Sequence, residues 1–293
     1  MLTPYVPGTM RSNQDFYLWL AIAACALLGL AEDMKADFLT PILRLICKFL
    51  VFGSLLFFFP GLIPIAIGVP GLDQTLQIPI LAWPLVTIFC VGFINAFNMA
   101  DGANGLVPGI ATAAFAIFFI EYGRPTEGFF LFACLIFLIF NVVSGWFFLG
   151  DMGSYGIGAI IVAYSLNGVA AGEFSVWFMA SLLAYPCIDF LVSILRRIRV
   201  GRSPFSADNN HLHNRVHRQL KRVIKSRVLS NSLTGIMISG SSAGLTLFAF
   251  INQWWLPSSH HWVILFVAEV LLYGVVFKLT NDEYSATQFS EPL

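Results

Sequence analysis

Charge is what this sequence has least of. Only 11% of its 293 residues are Asp, Glu, Lys or Arg, against roughly 25% in a soluble globular domain. That excludes a soluble protein and points to an integral membrane protein. The formal net charge is zero, and no nucleic-acid partner is expected. Cysteine is sparse, and Cys25, Cys47, Cys90, Cys134 and Cys187 form no CxxC pair. Each lies in or beside an apolar run, which leaves packing residues rather than disulfides or zinc ligands. Residues 1–15 lack the basic region and apolar stretch of a signal peptide. There is no internal repeat and no low-complexity tract, so residues 1–293 are expected to form a single transmembrane domain.

What is abundant is apolar sequence, 58% of the chain. A helix needs about 20 apolar residues to cross a ~30 Å hydrocarbon layer. On that template the fold is all-α and polytopic, with about nine crossings. They fall near residues 15–31, 42–60, 80–97, 107–122, 128–148, 155–171, 173–195, 231–252 and 261–279. A Pro- and Gly-rich connection occupies 60–79, and the crossings on either side of Gly172 form a tight hairpin.

One long polar run interrupts this pattern, residues 196–227, the core of a basic loop over 196–230. Ten of the sixteen Lys and Arg lie in it, with three of the five His. Cationic loops stay in the cytoplasm, so the run fixes the orientation. Counting back from it puts the links after the first, third and fifth crossings on the same face. Those links hold Glu32-Asp33, residues 98–105 and residues 150–154. The amino terminus is expected outside and the carboxyl terminus inside.

Four motifs then share one membrane face. Glu32 and Asp33 suit a metal, a cationic group or a base; the bland alternative is a solvated helix end, which Lys35 and Asp37 fit. Arg44 and Lys48, one turn apart on the next helix, suit a lipid phosphate or simple snorkelling. In NAFNMADGANGLVPG, residues 95–109, Asn95, Asn98, Asp101 and Asn104 are spaced three apart. That spacing predicts one helix face, and polar groups at membrane depth usually line a cavity; the alternative is a helix cap and a turn. Asp151 stands between glycines in GDMGS, where a hard cation would share carboxylate and phosphate oxygens; the alternative is an N-cap.

The basic loop carries Asp208, His211, His213 and Arg215 as DxxHLHNR. With so many Arg nearby, anion recognition is favoured over zinc. Residues 218–227 read as a basic amphipathic helix on anionic lipid. Asp189, inside a crossing, is expected to pair with a local Arg. Together these features fit phosphoryl transfer between a soluble nucleotide compound and a membrane lipid, where positioning and charge neutralisation do most of the work.

From about Gly29 to Arg215 the chain resembles the polyprenyl-phosphate N-acetylhexosamine-1-phosphate transferases, relatives of the phospho-MurNAc-pentapeptide translocase. The resemblance rests on four motifs in order: the acidic pair with Leu39-Thr40-Pro41 and Arg44, NxxNxxDGxxGL, GDxGS, and Arg-Arg…Gly-Arg-Ser-Pro-Phe…Asp-xx-His-Leu-His. It implies transfer of a GlcNAc-type sugar phosphate from a UDP-N-acetylhexosamine to undecaprenyl phosphate. UMP is released, Mg²⁺ is required with Mn²⁺ as a substitute, and a lipid-linked polysaccharide such as O-antigen is begun at a bacterial inner membrane. By position it implies Asp33, Asp101 and Asp151 as catalytic, with Asp151 the metal ligand and Asp33 a candidate base. Glu32, Asn98, Asn104, Arg196, Arg202, His211 and His213 become substrate-binding residues, and a homodimer follows family precedent. The chain departs from the pattern at Glu32 and Asn104, where Asp is common, and at Asn214, where a further His is frequent. Its beginning matches the family's third helix. A relative that binds UDP-sugar or polyprenyl phosphate without catalysis is the rival reading. A transporter fits less well, because it would hold ionisable groups near mid-span.

Overall fold

The computed structural model describes residues 8–35, 38–204 and 208–280. Asp37, Phe205 and Ser206 lie outside the described residues, as does part of the amino-terminal stretch expected on the outer face. Every regular element among the described residues is helical, and the chain is an all-α polytopic membrane protein.

Helix α1 (Gly8–Met34) ends in the acidic pair. Helix α2 (Pro41–Phe58) starts where Thr40 accepts the Leu43 N–H, with Pro41 pre-set for the first helical position. It stops before Pro60. Residues 60–78 hold only a 3₁₀ turn and the short α3 (Leu72–Leu76). Helix α4 (Pro79–Ala100) is the hub, packed on α2 and later helices. Then come α5 (Leu106–Tyr122), α6 (Pro125–Ser144) and α7 (Gly150–Ala170). After α7 follow α8 (Val176–Leu182), α9 (Ala184–Arg199) and the amphipathic α10 (Leu212–Val223). Helices α11 (Arg227–Ser239) and α12 (Leu245–Ile251) flank a π-helical turn and form one 25-residue span. The last helix is α13 (Trp262–Leu279).

Seven of these spans are long and apolar enough to cross a bilayer, and the bent pair α8–α9 would make eight. The count of nine from sequence included residues 107–122, but α5 has only 17 residues. At 1.5 Å per residue it is about 25 Å long, short of the ~30 Å layer. Its side chains face protein on most sides, with Leu106, Ile110, Phe115, Ile117 and Phe118 fully buried. A helix walled off from lipid need not match the lipid's thickness.

The expected crossing at 173–195 is not one straight helix. It breaks at Leu183 with an 81° bend between α8 and α9. Pro186 is the physical reason: its ring would meet the Leu182 carbonyl of a continuous helix, and it has no N–H to donate. In the first turn of a new helix neither defect costs anything.

Candidate functional site

The acidic pair is more than a solvated helix end, although Asp33 is exposed. Asp33 accepts the N–H groups of Asp151 (2.8 Å) and Met152 (2.9 Å), capping α7 from a different helix. An anion at that position complements both the unpaired N–H groups and the helix dipole. Glu32 is buried, accepts the Leu39 N–H at 2.7 Å and lies 3.5 Å from Arg44. Arg44 also reaches Asp151, at 3.7 Å. Because Asp33 holds only the backbone of α7, the Asp151 carboxylate remains partly exposed beside Arg44.

Lys48 does not snorkel. It is fully buried, donates to Asn95 Oδ1 at 2.6 Å and sits 3.7 Å from the centre of the Tyr155 ring. Asn98, one turn after Asn95, accepts the Ser154 hydroxyl at 2.7 Å. The predicted helix face carries these two Asn only, because α4 stops at Ala100. Asp101 is the cap residue, and its carboxyl is pushed up to about 6 by burial and then by the Asp151 charge. Asn104 lies past the turn and faces the other way. It is buried, with its N–H on Asn231 and its amide on Ser232, both of α11. Among the described residues, Asn104 is not part of the cavity wall described below.

The basic loop folds back on α9. Asp189, Ser193 and Arg197 recur every four residues and form that helix's buried row. Asp208 is tied to Arg196, to the Ser193 hydroxyl (2.9 Å) and to the Asn210 N–H (2.9 Å), with Arg197 at 3.6 Å. Burial alone would raise its carboxyl; the Arg196, Asn210 and Ser193 hydrogen bonds win and hold it at about 2. The folded value lies below the unfolded ~3.9, so the latch contributes in full above about pH 4 and is lost as pH falls through about 2. Asp208→Asn should therefore open the loop at neutral pH, read as faster tryptic cleavage at Arg199 and Arg202. Wild-type-like resistance would contradict the latch.

His211 and His213 lie ring to ring, with centroids 5.4 Å apart and planes 2° apart. His211 Nδ1 is 2.5 Å from Asp189, and His213 Nδ1 is 2.8 Å from the Tyr185 hydroxyl. Burial pushes His213 down to about 4, so its ring is neutral at physiological pH. Asp189 thus pairs with a histidine, not with the Arg expected from sequence. Arg215 lies over the Phe277 ring and donates to Asn210. Arg202 joins the loop through its N–H on the Arg197 carbonyl.

These elements enclose a cavity of about 480 Å³. Its wall includes Arg44, Asn95, Asn98, Gly102, Tyr155, Arg197, Asp208, Asn209, His211 and His213. Of the site residues expected from sequence, Asn98, His211 and His213 line it directly. Glu32 and Asp151 stand behind it through Arg44, and Asp101 adjoins Gly102. Arg196 is turned onto Asp208, and its neighbour Arg197 takes the wall position. Arg197 and Tyr155 went unread. The four-residue spacing of Arg197 from Ser193, and of Tyr155 from Asp151, was the available signal.

Gly102 makes the histidine arrangement possible, since a Cβ there would collide with His213 Nε2. Gly102→Ala should leave insertion intact but displace the ring, lowering turnover about 100-fold, the usual cost of ~1 Å of misplacement at a reacting centre. Unchanged turnover in membranes would remove His213 from the site.

Among the described residues no three His, Cys, Asp or Glu side chains gather tightly enough to cage a metal. That does not disfavour Mg²⁺, which commonly takes one or two protein carboxylates and fills its shell with phosphate and water. Asp151 and Asp101, near enough for the charge of the first to act on the second, fit that limited role.

Residues 16–169 match the family model described as glycosyl transferase family 4. A decaprenyl-phosphate N-acetylglucosaminephosphotransferase of Mycobacterium leprae is 34% identical over 179 residues, covering 51% of this chain and 44% of the relative. A probable undecaprenyl-phosphate N-acetylglucosaminyl 1-phosphate transferase of Bacillus subtilis is 29% identical over 197 residues, covering 62% and 55%. An undecaprenyl-phosphate alpha-N-acetylglucosaminyl 1-phosphate transferase of Yersinia pestis is 29% identical over 216 residues, covering 66% and 55%. The chain spans about half the length of the curated relatives it matches.

Proposed function

The chain belongs to glycosyl transferase family 4, and from that premise we propose that it transfers a HexNAc-1-phosphate, of GlcNAc type, from a UDP-sugar to undecaprenyl phosphate. The reaction would release UMP at the cytoplasmic face of a bacterial inner membrane and begin a lipid-linked surface polysaccharide such as O-antigen. The observation that carries this reading is convergence. Motifs from α1, α4, α7 and the basic loop, distant in sequence, meet around one polar cavity. Its size lies within the roughly 300–1,000 Å³ range usual for small-molecule sites.

In this reading an oxygen of the lipid phosphate attacks the sugar-side phosphorus of the UDP-sugar. The bond from that phosphorus to the bridging oxygen breaks in line, and UMP leaves with the electron pair. The nucleophile is already an anion, so no base is required. Catalysis is then positioning and charge neutralisation. Arg44, Arg197 and His211 face the diphosphate. Asn98, held by Ser154, fixes the nucleotide side. Asp33, with both oxygens bonded to α7, serves to position Asp151 rather than to take a proton. Asp151 with Asp101 would hold Mg²⁺ or Mn²⁺, which supplies charge neutralisation at the diphosphate when bound.

The lipid side of the reading has its own support. An apolar cavity of about 360 Å³ is lined by Leu85, Phe89, Phe93, Leu183 and Cys187. It shares α9 with the polar cavity, whose wall continues through Phe190 and Ile194. An acceptor with a long hydrocarbon chain and one phosphate suits such a pair. Helix α10 and residues up to 227, basic with Val223 exposed, suit an anionic leaflet.

The test is radiolabelled UDP-GlcNAc and undecaprenyl phosphate added to membranes containing the chain. Lipid-extractable label and UMP should appear together, and only when both substrates and a divalent cation are present. UDP-sugar binding without transfer would replace this reading with the non-catalytic one, and absence of both would defeat it.

A further inference from the structure

Asp189 is a carboxylate inside an apolar helix pair, almost completely buried, at a depth where an ionisable group is costly without partners. Its two oxygens do different work. Oδ1 accepts the Leu212 N–H (2.9 Å) and the Tyr273 hydroxyl (2.8 Å). The first of these caps the start of α10; the second ties α9 to α13. Oδ2 is given to the His211 ring, at 2.5 Å from Nδ1. A helix cap and a tether need only Oδ1, so the second oxygen calls for a separate account.

We propose that Asp189 is a positioning residue that fixes a proton of His211 on Nδ1 and turns Nε2 toward the cavity and the diphosphate. The inference rests on the transfer reading above. A carboxylate can only accept, so the hydrogen in this contact belongs to Nδ1. Nε2 is the nitrogen left for the cavity, whose wall His211 forms. The bond at Nδ1 sets the plane of the ring, and with it the direction from which Nε2 meets the diphosphate. Orientation of one ring nitrogen by a bond at the other is the common device by which proteins assign imidazole roles.

The titratable and charged groups around the pair are Tyr185 and Arg197 on α9, Tyr273 on α13, and His213 and His217 on α10. Among the described residues only Asp189 is hydrogen-bonded to the His211 ring. His213 is held differently, by a tyrosine hydroxyl, and stays neutral at physiological pH. Two adjacent imidazoles are thereby held by different buried partners, a carboxylate and a phenol.

The decisive measurement is the ¹⁵N spectrum of histidine-labelled protein in lipid nanodiscs, with His211→Gln used to assign the His211 signals. The wild type should show a proton on Nδ1. Asp189→Asn keeps Oδ1 for Leu212 and Tyr273 but presents an NH₂ to the ring, so the proton should move from Nδ1 to Nε2. An unprotonated Nδ1 in the wild type overturns the inference without any variant, as does an unmoved proton in Asp189→Asn. In the transfer assay Asp189→Asn should lower kcat/KM by about 10–100-fold, as loss of such an orienting partner does elsewhere. Tyr273→Phe removes a tether but leaves Oδ2 in place, and should keep both the wild-type proton position and a kcat/KM within a few fold of wild type. A kcat/KM that falls equally in both variants marks Asp189 as a tether only and overturns the inference. A wild type that transfers no sugar phosphate defeats the reaction assignment alone, since the proton position is read without turnover.

Discussion

Asp151→Asn is expected to abolish UMP release, by about 10³-fold or more, with little change in the amount of protein in the membrane. The substitution keeps the side chain's shape and removes its charge. The cap on α7 survives, because Asp33 bonds to the backbone N–H groups of residues 151 and 152 and not to the Asp151 side chain. Arg44 keeps Glu32 at 3.5 Å. The Arg44–Asp151 pair is partly exposed at 3.7 Å, and a pair of this kind contributes at most about 1 kcal/mol. Stability is therefore nearly untouched. Catalysis by charge neutralisation is another matter, since loss of a single preorganised electrostatic partner commonly costs roughly 10²–10³ in rate. A carboxylate meant to hold a divalent cation should stand at the upper end of that range. The comparison is UMP release per unit of inserted protein, wild type against variant. Turnover within a few fold of wild type would reject Asp151 as the central carboxylate.

Gly29→Ala is expected to disable the protein by the opposite route, through packing. Gly29 lies where α1 crosses α7, and a Cβ there would run into the Asp151 carbonyl and the Met152 nitrogen. These are backbone atoms, so no side chain can swing aside. The helices must part, and the same displacement draws Asp33 away from the N–H groups it caps. Overpacking of a tight contact costs roughly 1–3 kcal/mol, and lost capping adds about 1 kcal/mol. The variant should melt markedly lower in detergent and transfer no detectable label. A wild-type melting temperature with wild-type transfer would mean that the crossing is looser than the structure has it. The two substitutions are complementary: one removes charge and leaves the frame, the other leaves every charge and moves the frame.

The parts of this protein that were legible in its sequence are those whose energetics add along the chain. Transfer of apolar residues out of water is nearly additive, so the runs that became α1, α2, α4, α6, α7 and α13 could be read directly. Polar groups in such a chain are costly, so Glu32, Asp33, Asn98, Asp101, Asp151, His211 and His213 stood out as candidates. Pro186 and the DGANG turn after Ala100 were also written in the sequence. Apolar length overrode the first and carried a crossing past its break, and the three-residue spacing of Asn95, Asn98, Asp101 and Asn104 overrode the second and carried a helix face past its stop.

Tertiary structure decided which group faces which. Sequence places Arg196 and Arg197 side by side, but only packing of α9 puts Arg197 on the cavity and Arg196 on Asp208. It gives Asp33 to the backbone of α7, Asn104 to α11 and Asp189 to His211. Each of these partnerships joins residues remote in sequence, and its energy depends on distance and burial, quantities that exist only once the helices have packed. Composition and spacing could therefore name Glu32, Asp33, Asp101 and Asp151 as candidates, while the partner each takes came from the contacts between helices.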